Sequence, residues 1–186
     1  MPESNNFPPE YTIFIAADHR GFQKKEELFP LLNECHENVH AEDLGPDHYD
    51  ENDDYNDAAI AVAKAVLAEN AKSATNAQST ENAADARAPE TAVGVLICGS
   101  AHGVTMQANR FKGIRAVNVD SVESAKHART NDYANVICLS ADYLDLDTME
   151  NLIKTFCHTQ PIPSENYQRR AAKLDLDYDA QTGDRA

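Results

Sequence analysis

A cysteine stands at the end of an apolar run in the segment VGVLICGSAHGVTMQANRFKGIRA, which spans residues 93–116. Gly99 and Gly103 follow this Cys98, and polar residues at helical spacing come after them. The pattern predicts a strand that passes into a helix at the thiol. Backbone amides and the macrodipole at such a junction stabilise a thiolate, so we expect a pKa below the usual value of about 8.5 and a reactive base. The glycines let backbone amides approach an anionic ligand.

The other three cysteines fit the common interpretation of a buried, inert thiol. Cys138 lies inside an apolar strand pattern, and Cys35 and Cys157 lie in helical patterns. The four cysteines are far apart and lack the spacing of metal ligands, so we expect reduced thiols, no metal site and no disulfide framework.

Short β-rich runs alternate along the chain with longer segments of helical pattern. Strands are predicted at 11–17, 38–45, 92–99, 113–119 and 134–140. Helices are predicted at 21–35, 57–70, 103–111, 121–132, 145–158 and 164–174. Strands separated by helices favour right-handed crossovers, and therefore an α/β fold with a parallel sheet covered on both faces.

The length of 186 residues suits one domain with a substantial core. Residues 69–91 contain no large aliphatic side chain, so we predict a flexible surface insertion there that is partly helical because of its alanines. The polar tail at 175–186 is predicted to be frayed. We therefore expect the remaining segments to build the fold.

The charge balance excludes several classes of partner. The chain has 31 acidic and 16 basic residues, and its formal net charge of -15 would repel nucleic acids and anionic membrane surfaces. No stretch approaches the roughly 18 to 20 apolar residues that span a bilayer, and the N-terminal MPESNNFPPEY lacks the pattern of a secretion signal. We expect a cytoplasmic protein that binds neither nucleic acid nor membrane.

Ligands of open parallel sheets gather outside the carboxyl ends of the strands. Three loops are predicted to converge there: ADHRG at 17–21, CGSAHG at 98–103 and ARTNDYA at 128–134.

Four segments of the chain resemble a known family, the ribose-5-phosphate isomerase B and galactose-6-phosphate isomerase family. AADHRGFQKKEEL is similar to its opening motif, and DLGPDHYDENDDYNDAAIAVAKAV to its second strand and DY-containing loop. ICGSAHGVTMQANRFKGIRA resembles its cysteine and glycine loop, and ANVICLS its last strand. The resemblance covers residues 11–174 apart from the insertion.

The resemblance implies a Rossmann-like three-layer α/β/α sandwich with a five-stranded parallel sheet. It also implies a homodimer or tetramer whose sites lie at the subunit interface. The implied reaction is the aldose–ketose isomerisation of a small phosphorylated sugar, without a metal, nucleotide or other cofactor.

The family motif assigns roles to the loop that follows the third strand. By this resemblance Cys98 takes the proton beside the carbonyl, and Ser100 is a hydroxyl residue that assists it. The amides of Gly99, Ala101 and Gly103 would hold the enediolate oxygen, a preorganised donor set of the kind that stabilises transition states.

Further substrate contacts follow from the same motifs. Asp18 and Tyr55 match positions that contact sugar hydroxyls or the ring oxygen, and His19 matches a phosphate contact. Asn109 belongs to a loop-stabilising motif. Asp18 also suits the N-terminal cap of the following helix, and the two roles are compatible.

The chain departs from the family pattern at several positions. Asn131 stands where the family has its ring-opening histidine, Asp132 where an asparagine follows, and Asp142 where an arginine binds phosphate. Asparagine cannot shuttle a proton near neutral pH. His102, beside the cysteine loop, is either a substitute acid or a solvent-facing residue.

The C-terminal segment SENYQRRAAKL retains one family arginine, which is Arg169 or Arg170 depending on a one-residue gap. Three hypotheses follow. The chain is a sugar-phosphate isomerase that acts through Cys98, a noncatalytic protein that binds sugar phosphates, or one subunit of a hetero-oligomer of the galactose-6-phosphate isomerase type whose partner supplies the missing histidine.

Overall fold

Strands and helices alternate in the computed structural model, which describes residues 11–34, 38–77 and 90–176. The strands are β1 (Tyr11–Ala17), β2 (Val39–Asp43), β3 (Ala92–Cys98), β4 (Ala116–Asn118) and β5 (Val136–Ser140). The helices are α1 (Phe22–Glu34), α2 (Tyr55–Ala77), α3 (His102–Ala108), α4 (Val122–Asp132), α5 (Leu146–His158) and α6 (Glu165–Leu174). Across these described ranges, no helix combines the length and the apolar character that a membrane span requires.

The five strands form one parallel sheet in the order β2-β1-β3-β5-β4. The chain moves from β1 to β2 on one side and continues from β3 on the other, so the strand order reverses between β1 and β3. Such a switch point leaves a crevice at the carboxyl edge, the edge at which the parallel strands end.

Helices cover both faces of the sheet, which confirms the predicted three-layer α/β/α sandwich. On one face, α1, α4 and α5 contribute Leu28, Ala125, Leu152 and Phe156 to a buried cluster. On the other face, α2 and α3 contribute a second buried cluster that includes Ala59, Val62, Val66, Val104 and Ala108. Burial on both faces explains why β3 is a continuous apolar run without polar alternation.

Side-chain caps determine where two of the helices begin. The Ser121 hydroxyl accepts the Ser124 N–H at the start of α4. The Asp145 carboxylate accepts the Thr148 N–H at 2.8 Å at the start of α5. Each cap satisfies a backbone donor that has no partner within its helix.

The described start of the predicted insertion at 69–91 is helical, as its alanines predicted. Helix α2 continues to Ala77, because the alanine-rich sequence favours helix. The Asn70 side chain accepts the N–H groups of Thr91 and Ala92 at 2.9 and 3.0 Å and donates to the Ala92 carbonyl. These hydrogen bonds join the two ends of the insertion. Residues 78–89 lie outside the described residues.

The predicted frayed tail starts with an anchored residue. The Asp175 carboxylate accepts a hydrogen bond from the buried Arg115 guanidinium at 3.3 Å. The rest of the tail from residue 177 lies outside the described residues.

Candidate active site

The Cys98 thiol lies at the carboxyl edge, beside the switch point. Cys98 is the last residue of β3 and is buried, with 4% of its surface exposed. Ala17 and Ile97 are paired in the register of β1 and β3, so Asp18 and Cys98 follow them at the same level of the sheet. The two residues that the sequence singled out on separate strands are therefore neighbours across the crevice.

The loop after Cys98 turns its backbone toward the thiol. Ala101 adopts a left-handed conformation with φ of 65°, a region that favours glycine. The backbone N–H groups of Val104, Ala101 and Ser100 lower the pKa of the thiol. Burial has the larger effect, so the pKa of Cys98 is raised above its ordinary value in the isolated subunit. The prediction of a lowered pKa is wrong because it considered the stabilising amides but not the loss of water around the buried thiol.

Asp18 caps the turn that leads into α1, as its second interpretation predicted. One carboxylate oxygen accepts the N–H groups of Arg20 and Gly21 at 3.0 and 3.1 Å. The side chain is buried, and burial raises the pKa of its carboxyl above the ordinary value. Asp18 therefore has a fixed orientation beside Cys98.

Tyr55 packs directly on the cysteine loop. A side chain at Gly103 would place its Cβ 2.8 Å from the Tyr55 ring, so only glycine permits this approach. Tyr55 is the first residue of α2 and is 37% exposed. The tyrosine can therefore contact a ligand that enters the crevice above Gly103.

His19 is held by a carboxylate that the sequence analysis missed. Its Nδ1 lies 2.7 Å from Asp53 Oδ1, and its backbone N–H donates to the same oxygen at 2.9 Å. The Tyr49 ring meets the His19 ring edge-on, with 6.4 Å between their centroids. Asp53 lies in the acidic run before Tyr55, where nothing in the sequence distinguishes it from Asp54 and Asp50.

Arg20 and Asp142 form a second contact that the sequence analysis missed. The Arg20 Nη2 lies 2.7 Å from both carboxylate oxygens of Asp142. A Cβ at Gly99 would lie 2.5 Å from the Arg20 Nε, so the arginine crosses the cysteine loop. Asp142, which stands where the family has an arginine, therefore lies beside an arginine from another segment.

Ser100 and His102 line a cavity of about 360 Å³ at the ends of β3, β4 and β5. Its other lining residues are Asn118, Val119, Asp120, Ser140, Tyr143 and Leu144. His102 is exposed. The cavity adjoins the cysteine loop on the side away from β1.

Asn109 stabilises the loop between α3 and β4. Its side chain donates to the Ala116 carbonyl and accepts the Ala116 N–H, both at 2.8 Å. These two bonds are the kind of contact that the loop-stabilising motif implies.

The segment 128–134 lies at the other edge of the sheet, so its predicted convergence with the other two loops is wrong within one subunit. Val136 at the start of β5 pairs with Gly94, whereas Cys98 pairs with Ser140. Four residues along a strand span about 13 Å. Segment 128–134 precedes β5, and a loop before a parallel strand lies at its amino end.

The other predicted substrate contacts share this location. Helix α6 packs against α4, and the Ile162 N–H donates to the Thr130 carbonyl. Four predicted site residues therefore lie away from the Cys98 crevice of their own subunit: Asn131, Asp132, Arg169 and Arg170.

Two further cysteines match the prediction of inert thiols. Cys138 is fully buried in β5, and burial raises its pKa to about 12. Cys157 is buried on α5, and Cys35 lies outside the described residues. In the described portion of the chain, no group of three or more histidine, cysteine or acidic residues is arranged to hold a metal ion.

Comparison with known proteins matches the chain to one family. The sequence profile of the family described as Ribose/Galactose Isomerase matches residues 13–76 and 69–174. The chain is 34% identical over 172 residues to the probable ribose-5-phosphate isomerase B of Mycoplasma genitalium, covering 92% of this chain and 98% of that protein. It is 30% identical to D-erythrulose-4-phosphate isomerase 2 of Mycolicibacterium smegmatis, covering 76% and 80%.

A solved structure shares the fold over the same length. The ribose-5-phosphate isomerase B of Mycoplasma genitalium with bound ribulose-5-phosphate superposes with a TM-score of 0.74 at 32% identity. The match covers 92% of this chain and 98% of that one. The crevice at Cys98 is therefore built on a fold that, in that relative, binds a phosphorylated ketose.

Proposed function

The chain belongs to the Ribose/Galactose Isomerase family, and from this premise we propose that it interconverts a phosphorylated aldose and its ketose isomer. One observation carries the proposal. The Cys98 thiol lies at the switch point of the sheet, level with Asp18 and surrounded by backbone N–H groups. A base beside preorganised amide donors is the arrangement that proton transfer next to a carbonyl requires.

The reaction begins with proton abstraction by the Cys98 thiolate. The thiolate removes the proton from the carbon next to the carbonyl, and the electron pair of that C–H bond forms the enediolate. The amides of Gly99, Ala101 and Gly103 stabilise the oxyanion, and the Ser100 hydroxyl assists. The thiol then returns the proton to the former carbonyl carbon, and the proton of the adjacent hydroxyl moves to the former carbonyl oxygen, so the isomerisation neither gains nor loses atoms or electrons.

The crevice binds the substrate through groups on β1 and α2. His19 contacts the phosphate, and Asp53 holds its ring through Nδ1. Asp18 and Tyr55 contact sugar hydroxyls or the ring oxygen. Tyr55 reaches this position because its ring packs on Gly103 in the cysteine loop.

The site is completed by a second copy of the chain. Asn131, Asp132, Arg169 and Arg170 lie away from Cys98 in their own subunit, as the register of β3 and β5 requires. In a two-fold dimer these residues reach the crevice of the partner. Because asparagine at 131 cannot transfer a proton, ring opening falls to another acid, and His102 beside the cysteine loop is the candidate.

We propose ribose 5-phosphate and ribulose 5-phosphate as the first substrate pair to test. The name and bound ligand of the Mycoplasma genitalium relative support a pentose phosphate. The name of the Mycolicibacterium smegmatis relative supports a tetrose phosphate as the second choice. Galactose 6-phosphate extends the test to a hexose.

Proton exchange tests the chemistry directly. In D₂O, the isolated protein should incorporate deuterium at C2 of ribose 5-phosphate, as measured by NMR, and Cys98→Ser should abolish the exchange while leaving the fold intact. Cys157→Ala is the matched control, because this cysteine is buried on α5 away from the crevice. Full exchange in Cys98→Ser would show that another residue is the base.

Two observations favour a second candidate function, a noncatalytic protein that binds sugar phosphates. Asn131 replaces the family's ring-opening histidine, and burial raises the pKa of the Cys98 thiol. Tight binding of all three sugar phosphates without deuterium exchange would support this candidate. Recovery of exchange only when a different subunit copurifies from native cells would instead support the hetero-oligomer.

A further inference from the structure

We propose that Arg20 is a phosphate-binding arginine of this site, in addition to the arginines of α6, and that Asp142 is its positioning residue. The proposal takes its ligand from the proposed function. Arg20 directly follows His19, the residue that contacts the phosphate in the proposed site. Its side chain crosses Gly99 of the cysteine loop, as the 2.5 Å distance from a Cβ at Gly99 to the Arg20 Nε requires.

The arginine has hydrogen-bond donors available for a ligand. A guanidinium carries five N–H donors, and the contacts with Asp142 use those of Nη2 alone. Across the described residues, no acceptor contacts Nε or Nη1. The side chain is 55% exposed, so an anion can reach these donors from solvent. Each remaining N–H can donate a charge-assisted hydrogen bond to a phosphate oxygen while Nη2 stays bonded to Asp142.

Asp142 is fixed to the loop that carries the base. The Asp142 N–H donates to the Gly99 carbonyl at 3.0 Å, and the neighbouring Ala141 N–H donates to the Cys98 carbonyl at 2.9 Å. Lys24 donates to the Ala141 carbonyl at 2.8 Å. The carboxylate therefore holds one end of the guanidinium at a constant position relative to Cys98.

The carboxyl groups around the crevice would repel a phosphate, so a cation beside the ligand favours binding. Asp18, Asp53 and Asp142 place three carboxyl groups near a ligand whose phosphate carries about -1.5 to -2 at neutral pH. The resemblance assigned a phosphate-binding arginine to position 142, where this chain has a carboxylate. Arg20 bonds Asp142 and therefore supplies a guanidinium next to this position.

Arg20→Met tests the first half of the proposal. Calorimetry should show that inorganic phosphate and ribose 5-phosphate bind at least about tenfold more weakly than to the wild type, because a charge-assisted hydrogen bond is lost. Lys72→Met is the control, because Lys72 is an exposed cation far from the crevice. It lies near Asn70, whose side chain bonds Ala92 at the amino end of β3, whereas the crevice lies at the carboxyl end. Binding by Arg20→Met within twofold of the wild type would overturn the role of Arg20.

A double-mutant cycle tests the positioning role of Asp142. In the Arg20→Met background, Asp142→Asn should strengthen phosphate binding because it only removes a repelling charge. In the wild-type background the same substitution also loosens Arg20, so its effect should differ by at least about threefold. Additive effects in the cycle would show that Asp142 does not act through Arg20.

The binding measurement separates this inference from the proposed function. A wild type that isomerises ribose 5-phosphate while Arg20→Met keeps its KM would overturn Arg20 and leave the isomerase intact. A wild type that binds phosphate through Arg20 but exchanges no proton with any sugar phosphate would support Arg20 and overturn the isomerase. A wild type that neither binds phosphate nor exchanges protons would overturn both.

Discussion

The His19 ring and the His19 backbone N–H both contact Asp53 beside the crevice. Asp53 Oδ1 lies 2.7 Å from His19 Nδ1 and accepts the His19 backbone N–H at 2.9 Å. A carboxylate only accepts hydrogen bonds, so Nδ1 carries the proton in this contact, and Nε2 can contact a phosphate oxygen only as a second N–H donor. The loop before α2 therefore orients a residue at the end of β1.

Asp53→Asn should weaken substrate binding more than it slows chemistry. The amide retains the shape of the carboxylate but loses its charge, so the His19 ring is held less firmly. We expect the KM for the sugar phosphate to rise about threefold to tenfold with kcat nearly unchanged. Long-range ¹⁵N NMR should show His19 losing its preference for the Nδ1–H tautomer.

Asp54→Asn is the matched control for this substitution. Asp54 is the adjacent, exposed carboxylate, and its backbone carbonyl accepts the Asp57 N–H near the start of α2. Its substitution should leave KM and the tautomer of His19 unchanged. Equal effects of the two substitutions would mean that general charge, and not the contact with His19, determines KM.

The reactivity of Cys98 should increase with pH into the alkaline range. Burial raises the pKa of this thiol above its ordinary value, so the neutral thiol persists to higher pH than in a free cysteine. Only the thiolate reacts, and its fraction grows about tenfold per pH unit below the pKa. Alkylation by iodoacetamide, followed at Cys98 by mass spectrometry, should therefore rise steadily and pass pH 9 without a plateau.

Cys138 provides the internal reference for this experiment. Its pKa is raised to about 12 by complete burial, so its alkylation should stay near zero in the folded protein throughout the same range. A plateau for Cys98 below about pH 8 would contradict the raised pKa. Ligand-free protein is used, because a bound phosphate shields the crevice.

The order of the elements was predictable because each strand and helix is encoded locally. The apolar runs of β1 and β3 and the periodic helices between them identify a parallel sheet without any tertiary information. The neighbours Asp18 and Cys98 were predictable for the same reason, since the carboxyl ends of adjacent parallel strands meet at one edge.

The contacts that orient the site were not predictable from local pattern. Arg20 and Asp142 are 122 positions apart, and Asp53 is one of several acidic residues in a row. The direction of the pKa shift at Cys98 depends on how completely neighbouring side chains exclude water, a tertiary property. The misplacement of segment 128–134 was avoidable, because a segment that precedes a parallel strand lies at the amino edge of the sheet.

A buried ionic cluster should contribute much of the stability near the insertion. Glu90 lies 3.0 Å from Arg115 and 2.7 Å from Arg129, and both arginine side chains are almost completely buried. Glu90→Gln leaves these two charges without their shared carboxylate. We expect the free energy of unfolding in urea to fall by about 3–5 kcal/mol.

Glu150→Gln is the control for an exposed ion pair. Glu150 contacts Lys154 one turn further along α5, at 2.6 Å. Loss of such a helix-surface pair costs about 0.3–0.5 kcal/mol. Similar, small losses for the two variants would show that Asp175 and backbone carbonyls satisfy Arg115 and that backbone carbonyls satisfy Arg129.

A mixture of two inactive variants should recover activity if each site uses two subunits. Cys98→Ser removes the base, and the double variant Arg169→Ala with Arg170→Ala removes the cations of α6, which lies away from the Cys98 crevice in the same chain. Each variant alone forms dimers in which both sites are damaged.

Unfolding and refolding the two together at equal amounts makes about half of the dimers mixed, and a mixed dimer has one intact site out of two. The mixture should therefore regain about a quarter of wild-type activity. A mixture that stays as inactive as its parents, although mass spectrometry detects mixed dimers, would place the α6 arginines and Cys98 in the same subunit's site.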